Sequence, residues 1–110
     1  MPHKVVLSPD ALQRISEIAQ YIATQLCLKK SAGALYDELA EKIDIIEAFP
    51  YSYAIDEDAS RIIGHTVRSA RLRSAKLLYW VDEEQKTVLI FTVRFCSENP
   101  LSLRKEDFPY

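Results

Sequence analysis

The chain has 110 residues, enough for one domain with one core, and its 48% hydrophobic and 27% charged residues suit a globular protein in water. A net charge of −2 and a pI near 5.7 argue against a general nucleic-acid binder, and no apolar run reaches the length of a membrane span. The first residues enter a strand pattern at once and lack the apolar stretch of a secretory signal, so a cytoplasmic protein is expected. Cys27 and Cys96 lie far apart and are expected as reduced thiols in or near a core. With only His3 and His65 beside them, no metal site is expected, and nothing calls for a cofactor.

The small net charge hides a segregation. Residues 1–60 carry five bases and ten acids, residues 61–81 carry Arg61, Arg68, Arg71, Arg73 and Lys76 with no acid, and the rest is mildly acidic. A local basic stripe of that kind is compatible with a focused contact to an anion.

In chain order, residues 3–7 read as a short strand. Ser8, Pro9 and Asp10 then give a helix start: a capping hydroxyl, a proline at the first helical position, and an acid that suits the dipole. Leu12, Ile15, Ala19, Ile22 and Leu26 repeat at three- and four-residue steps, with Ile18 widening the stripe, which predicts an amphipathic helix to about Cys27. A break over residues 28–31, with Ser31 as the next cap, leads into a second helix. Its face is Ala32, Leu35, Leu39, Ile43, Ile46 and Phe49, with Glu38 and Lys42 as an i,i+4 pair on the wet side, and Pro50 ends it. So short a link predicts a helical hairpin.

Residues 51–64 show no period and read as a loop, and the acids Asp56, Glu57 and Asp58 read as a solvated turn rather than a metal cluster. Three β patterns follow, over residues 66–72, 76–81 and 87–95, the last two joined by a polar, hairpin-length turn. The last strand is apolar on both alternations and so should be central, covered by helices on one face. The tail from Ser97 to Tyr110, with two prolines, is expected to hold a turn of helix at most. The order β-α-α-β-β-β predicts a single α+β domain over residues 1–110, an antiparallel sheet packed against an N-terminal helical hairpin.

Sharp catalytic motifs are absent: with two glycines in the chain there is no phosphate loop, and there is no G-x-S-x-G, C-x-x-C or H-E-x-x-H. The basic stripe is the informative feature. Arg68 should share a strand face with Ala70 and Leu72 while Arg71 faces the other way, with Arg73 and Lys76 flanking the next turn. With Arg61 and Arg94 on neighbouring segments, these bases either line a concave sheet face and hold phosphates, or pair with the acidic helices. Tyr79 and Trp80, adjacent on a strand, point to opposite faces, so at most one of them serves any one surface.

Two stretches resemble a known family. Val6-Leu7-Ser8-Pro9-Asp10-Ala11, followed by Ile15, Ile18, Tyr21 and Ile22, is similar to the opening of RelE/ParE toxins of bacterial type II toxin–antitoxin systems. Arg71, then Lys76-Leu77-Leu78-Tyr79-Trp80-Val81-Asp82-Glu83, resembles that family's signature, and residues 87–93 resemble its last core strand. The resemblance implies the RelE/ParE-like fold, a toxin with a cognate antitoxin as partner, and one of two targets: DNA gyrase, or the ribosome and its mRNA. In a RelE-type, metal-independent endoribonuclease, Arg71, Lys76 and Arg94 would be the catalytic bases, stabilising the charge of in-line attack by the 2′-OH. Arg61, Arg68, Arg71, Arg73 and Lys76 would bind the target or RNA.

Several positions depart from the nuclease pattern. Lys76 stands where the nucleases often carry Arg, and Cys96 sits closer than Arg94 to the expected strand-end cation. The lysine pair before the signature is missing, with Val67 and Ser69 there instead and Arg68 between them. Tyr110 is the one candidate for the nucleases' C-terminal Tyr or His. The expectation is therefore a growth-arresting toxin acting on gyrase or another translation or replication target, with a RelE-type nuclease and a non-toxic interaction module as alternatives.

Overall fold

Ser8 starts the first helix and anchors it to the sheet at once: its hydroxyl accepts from the Ala11 N–H at 3.1 Å and donates to the Phe91 carbonyl at 2.8 Å. A computed structural model describes residues 3–25 and 29–110 of the chain. The first strand β1 (Lys4–Leu7) leads into helix α1 (Pro9–Thr24), which buries Ala11, Ile15, Ile18, Ala19 and Ile22. Leu12, expected in that stripe, is 56% exposed, because the 4-3-4 spacing of Ala11, Ile15, Ile18 and Ile22 leaves it off the buried face. The expected helix end at Cys27 and the break at Leu28 lie outside the described residues, the last helical residue before them being Thr24.

Helix α2 (Lys29–Ala48) begins before the expected cap at Ser31, which falls inside its first turn. It buries Ala32, Leu35, Leu39 and Ile46 against α1 and the sheet, with Ile43 packed alongside. Phe49 lies past the helix end and is 67% exposed, a correction to the expected face. The expected Glu38–Lys42 pair does not form. Glu38 instead reaches Arg73, with Oε2 3.2 Å from Nε, and Lys42 lies over the Tyr53 ring at 5.6 Å.

The segment read as a loop contains a helix, α3 (Glu57–Ile63). Asp56 caps it by accepting from the Ala59 N–H at 3.0 Å, Glu57 and Asp58 fill its first turn, and Gly64 closes it at φ +83°. The acidic cluster is thus a helix start. At seven residues the element is too short to show a period, but Asp at one end and Gly at the other were its signature.

The strands β2 (Val67–Leu72), β3 (Ala75–Asp82) and β4 (Thr87–Phe95) lie where the sequence places them. The sheet order is β1-β4-β3-β2, with β4 central as expected. The sheet is mixed rather than antiparallel throughout, since β1 pairs parallel to β4, Lys4 opposite Thr87 through Leu7 opposite Ile90. Side-chain alternation reports which face a residue takes and carries nothing about strand direction, so the sequence could not show this.

Both faces of the sheet are covered. The helical hairpin packs on one, over Leu77, Tyr79, Val88, Ile90 and Val93. On the other, α3 and the tail bury Leu78, Leu89 and Phe91 under Ala59, Ile63, Leu103 and Phe108. The tail therefore completes the core through two short 3-10 turns, at Pro100–Ser102 and Lys105–Asp107. Cys96 is exposed, against the expectation of a thiol near the core. No helix among the described residues is long and apolar enough to cross a membrane.

Candidate functional site

An irregularity in the central pair of strands decides what faces the α3 side. Leu78 pairs with Thr92 but Tyr79 pairs with Ile90, leaving Phe91 as an extra, bulged residue. The bulge shifts the alternation by one: Leu89 and Phe91 belong to the α3 side, yet two residues further on Val93 packs under the hairpin. Arg94 thereby turns to the α3 side, directly opposite Lys76, which is in turn directly opposite Arg71. The three bases proposed from the sequence as catalytic form one row across β2, β3 and β4, with Cβ atoms of neighbours about 5 Å apart.

Two members of the row are already matched with acids. Lys76 Nζ lies 3.1 Å from Asp56 Oδ2, whose other oxygen caps α3. Arg94, only 8% exposed, lies 3.1 Å from Glu98 Oε2 and also bonds the Ser102 hydroxyl. The space lined by Asp56, Lys76, Leu78, Arg94, Glu98 and Leu103 is a slot of about 10 Å³, room for one water molecule at most. Arg71 faces a cleft of about 360 Å³ that Lys76 also lines, together with Lys42, Tyr53, Ser69 and Cys96, and Arg94 lines another of about 230 Å³ with Arg14, Thr92 and Ser102. The Arg71 Nε donates to the Arg73 carbonyl at 3.1 Å.

The other bases proposed from the sequence stand elsewhere. Arg68 is tied at the sheet edge to the carbonyls of Tyr53 (2.8 Å) and Tyr51, over whose ring it lies. Arg73 forms the β2–β3 turn in left-handed backbone at φ 56°, held by Glu38 from α2. Arg61 sits on α3 against Asp58, and both are well exposed. The stripe is thus dispersed over four places rather than gathered on one concave face, and most of it is paired with acids, as the second reading of the stripe held. Tyr79 is buried under the hairpin and Trp80 half-buried on the other face, as their adjacency requires. Tyr110, 78% exposed, rests against Trp80, four strand residues or about 13 Å along β3 from Lys76.

Three residues that matter here were not singled out from the sequence: Asp56, Arg14 and Glu98. Arg14 reaches from α1 to the outer edge of β4, donating through Nε to the Val93 carbonyl at 2.8 Å and through its terminal nitrogen to Glu98. A base interrupting the buried stripe of α1, next to Ile15, was the available signal. Glu98 also accepts from the Phe95 N–H at 2.9 Å. Burial alone would push its carboxyl up, but the Phe95 N–H and the charges of Arg94 and Arg14 outweigh that and hold it below the ordinary value of 4.5. A carboxylate whose folded value is depressed stabilises the fold above its unfolded value and loses that contribution as the pH falls through it. The expected outcome is an unfolding free energy that declines as the pH drops below about 4.5, with a shallower decline in Glu98→Gln, read by urea titration at a series of pH values.

The profile of the ParE toxin of type II toxin–antitoxin system, parDE, matches residues 5–100. Among solved structures, the chromosomal ParDE toxin–antitoxin system from P. aeruginosa superposes with a TM-score of 0.65 at 15% identity, over 84% of this chain and 95% of that one. A variant of E. coli toxin RelE in the free state gives 0.57 at 17% identity, over 88% and 86%. The toxin–antitoxin complex RelBE2 from Mycobacterium tuberculosis gives 0.55 at 20%, over 89% and 95%. At these identities the likeness is one of fold, and it bears out the expected RelE/ParE-like architecture. None of the curated proteins matches the sequence.

Proposed function

The chain belongs to the ParE toxin family of type II toxin–antitoxin systems, and on that premise we propose that this toxin, neutralised by its cognate antitoxin, arrests growth by binding DNA gyrase rather than by cutting mRNA. One observation carries the choice between the two activities. Two of the three bases that a nuclease would use, Lys76 and Arg94, are each paired with one of the chain's own acids, Asp56 and Glu98, around a slot of about 10 Å³.

A phosphate entering that slot would meet Asp56 and Glu98 as well as Lys76 and Arg94. At about 4 Å and an effective dielectric near 20, each carboxylate repels a unit charge by about 4 kcal/mol, which cancels the attraction of one base. Proton transfer is no better served. A general base works best with a pKa near the working pH, and Glu98 is held in the opposite direction. None of the residues lining the slot is a Tyr or His.

Inducible expression tests the reading. Cells making the chain alone should stop growing, and co-expression of the antitoxin should restore growth. Arg71→Ala with Lys76→Ala should leave the arrest in place and transcripts intact. Arrest that disappears in the double variant, together with messages cut in the ribosomal A site of wild-type cells, would sink it.

A further inference from the structure

We infer that Lys76 and Arg94 form an oxyanion site that the chain keeps occupied with its own carboxylates, Asp56 and Glu98 standing where phosphates of a nucleic-acid backbone would otherwise bind. The inference rests on the reading just given, in which the row is not at work in the closed protein, and it states how that same row is held shut.

Glu98 is bound as a ligand is bound. Its Oε1 takes Arg14 from α1 and the Phe95 N–H at 2.9 Å, and its Oε2 takes Arg94 at 3.1 Å. Two guanidiniums from different elements and a backbone N–H around one carboxylate make a receptor for an oxyanion. One of those guanidiniums, Arg94, is 8% exposed, so its charge would be costly without an anion beside it. On the other side of the slot Asp56 performs the same service for Lys76 at 3.1 Å. Leu103 lines the slot with them. Three bases against two acids leave the assembly nearly balanced; without the two acids it would present three cations on one face.

The two acids can be neutralised without dismantling the fold. Asn is as good a helix N-cap as Asp, so Asp56→Asn keeps the start of α3. Glu98→Gln keeps an oxygen to accept from Phe95. A matched control, Glu41→Gln with Glu84→Gln, removes two exposed acids away from the slot and changes the net charge equally. The probe is a short labelled single-stranded RNA, with binding followed by anisotropy over a range of salt.

The double variant D56N/E98Q should bind at least about tenfold tighter than wild type at low salt, with the slope of log K against log salt steeper by about 1.4, or 0.7 for each freed cation. The control should match wild type. A double variant that binds no tighter than the control overturns the inference while leaving the gyrase reading standing. Message cut by the wild-type protein in the expression assay overturns the reading on which the inference rests. Should the double variant fail to melt cooperatively, Glu98→Gln alone carries the test, with about half the change in slope.

Discussion

Tyr79→Ala should lower the unfolding free energy by about 3–5 kcal/mol, the range for truncating a large aromatic in a packed core. Tyr79 is fully buried in the middle of β3, paired with Ile90 and facing the helical hairpin. Its hydroxyl donates to the Pro50 carbonyl at 2.9 Å, so one side chain joins the sheet to the segment just past α2. Burial pushes the phenol up to about 12, which keeps it a proton donor across the working range. The alanine variant loses both the packing and the bond, whereas Tyr79→Phe loses the bond alone and should cost about 0.5–1.5 kcal/mol. Urea denaturation separates the two. An alanine variant within 1 kcal/mol of wild type would show that the hairpin is not seated on the sheet through this residue.

Phe108→Ala should cost about 3 kcal/mol or more, although it lies three residues from the end of the chain. Phe108 is 4% exposed and its ring stands 4.8 Å from His65, 5.2 Å from Phe91 and 5.4 Å from Trp80, centroid to centroid. Such edge and stacked contacts each add about 0.5–1.5 kcal/mol beyond the area buried. Trp80 is the chain's one tryptophan, so its emission reports the change directly: a red shift should accompany loosening of the tail. Tyr110→Ala, on a ring that is 78% exposed, should move stability by no more than about 0.5 kcal/mol. Wild-type stability and emission in Phe108→Ala would mean that the tail only rests on the sheet.

These two residues mark what was legible in the sequence. Helices α1 and α2, the last three strands and the central place of β4 follow from periodicity, and the family follows from the opening of α1 and the stretch around Lys76 to Glu83. The parallel pairing of β1 was out of reach, because alternation is blind to direction. The bulge at Phe91 was hidden as well: β4 is apolar on both faces, so a one-residue shift of phase leaves no trace in its pattern. That shift is what aligns Arg94 with Lys76. The tail looked like an appendage because Leu103 and Phe108 are isolated apolar residues without a period, yet they roof one face of the sheet.

The site divides in the same way. Arg71, Lys76 and Arg94 were named from the sequence and do form a row. The pairing of Lys76 was not visible, since Asp56 lies 20 residues before it, whereas Glu98 is only four residues from Arg94 and binds Arg14 across 84 residues as well. Charge counts along the chain registered a basic stripe; only the fold shows that Lys76 within it and Arg94 beyond it are already paired with acids. Bases available to a nucleic acid differ from bases held by acids in their partners, and partners are a property of three dimensions.

The most direct test of the account is plasmid supercoiling by purified gyrase in the presence of the purified chain. The account predicts that supercoiling is inhibited as the chain approaches the enzyme's concentration, and that adding the antitoxin restores it. Full supercoiling at a large excess of a chain that still arrests growth would contradict it.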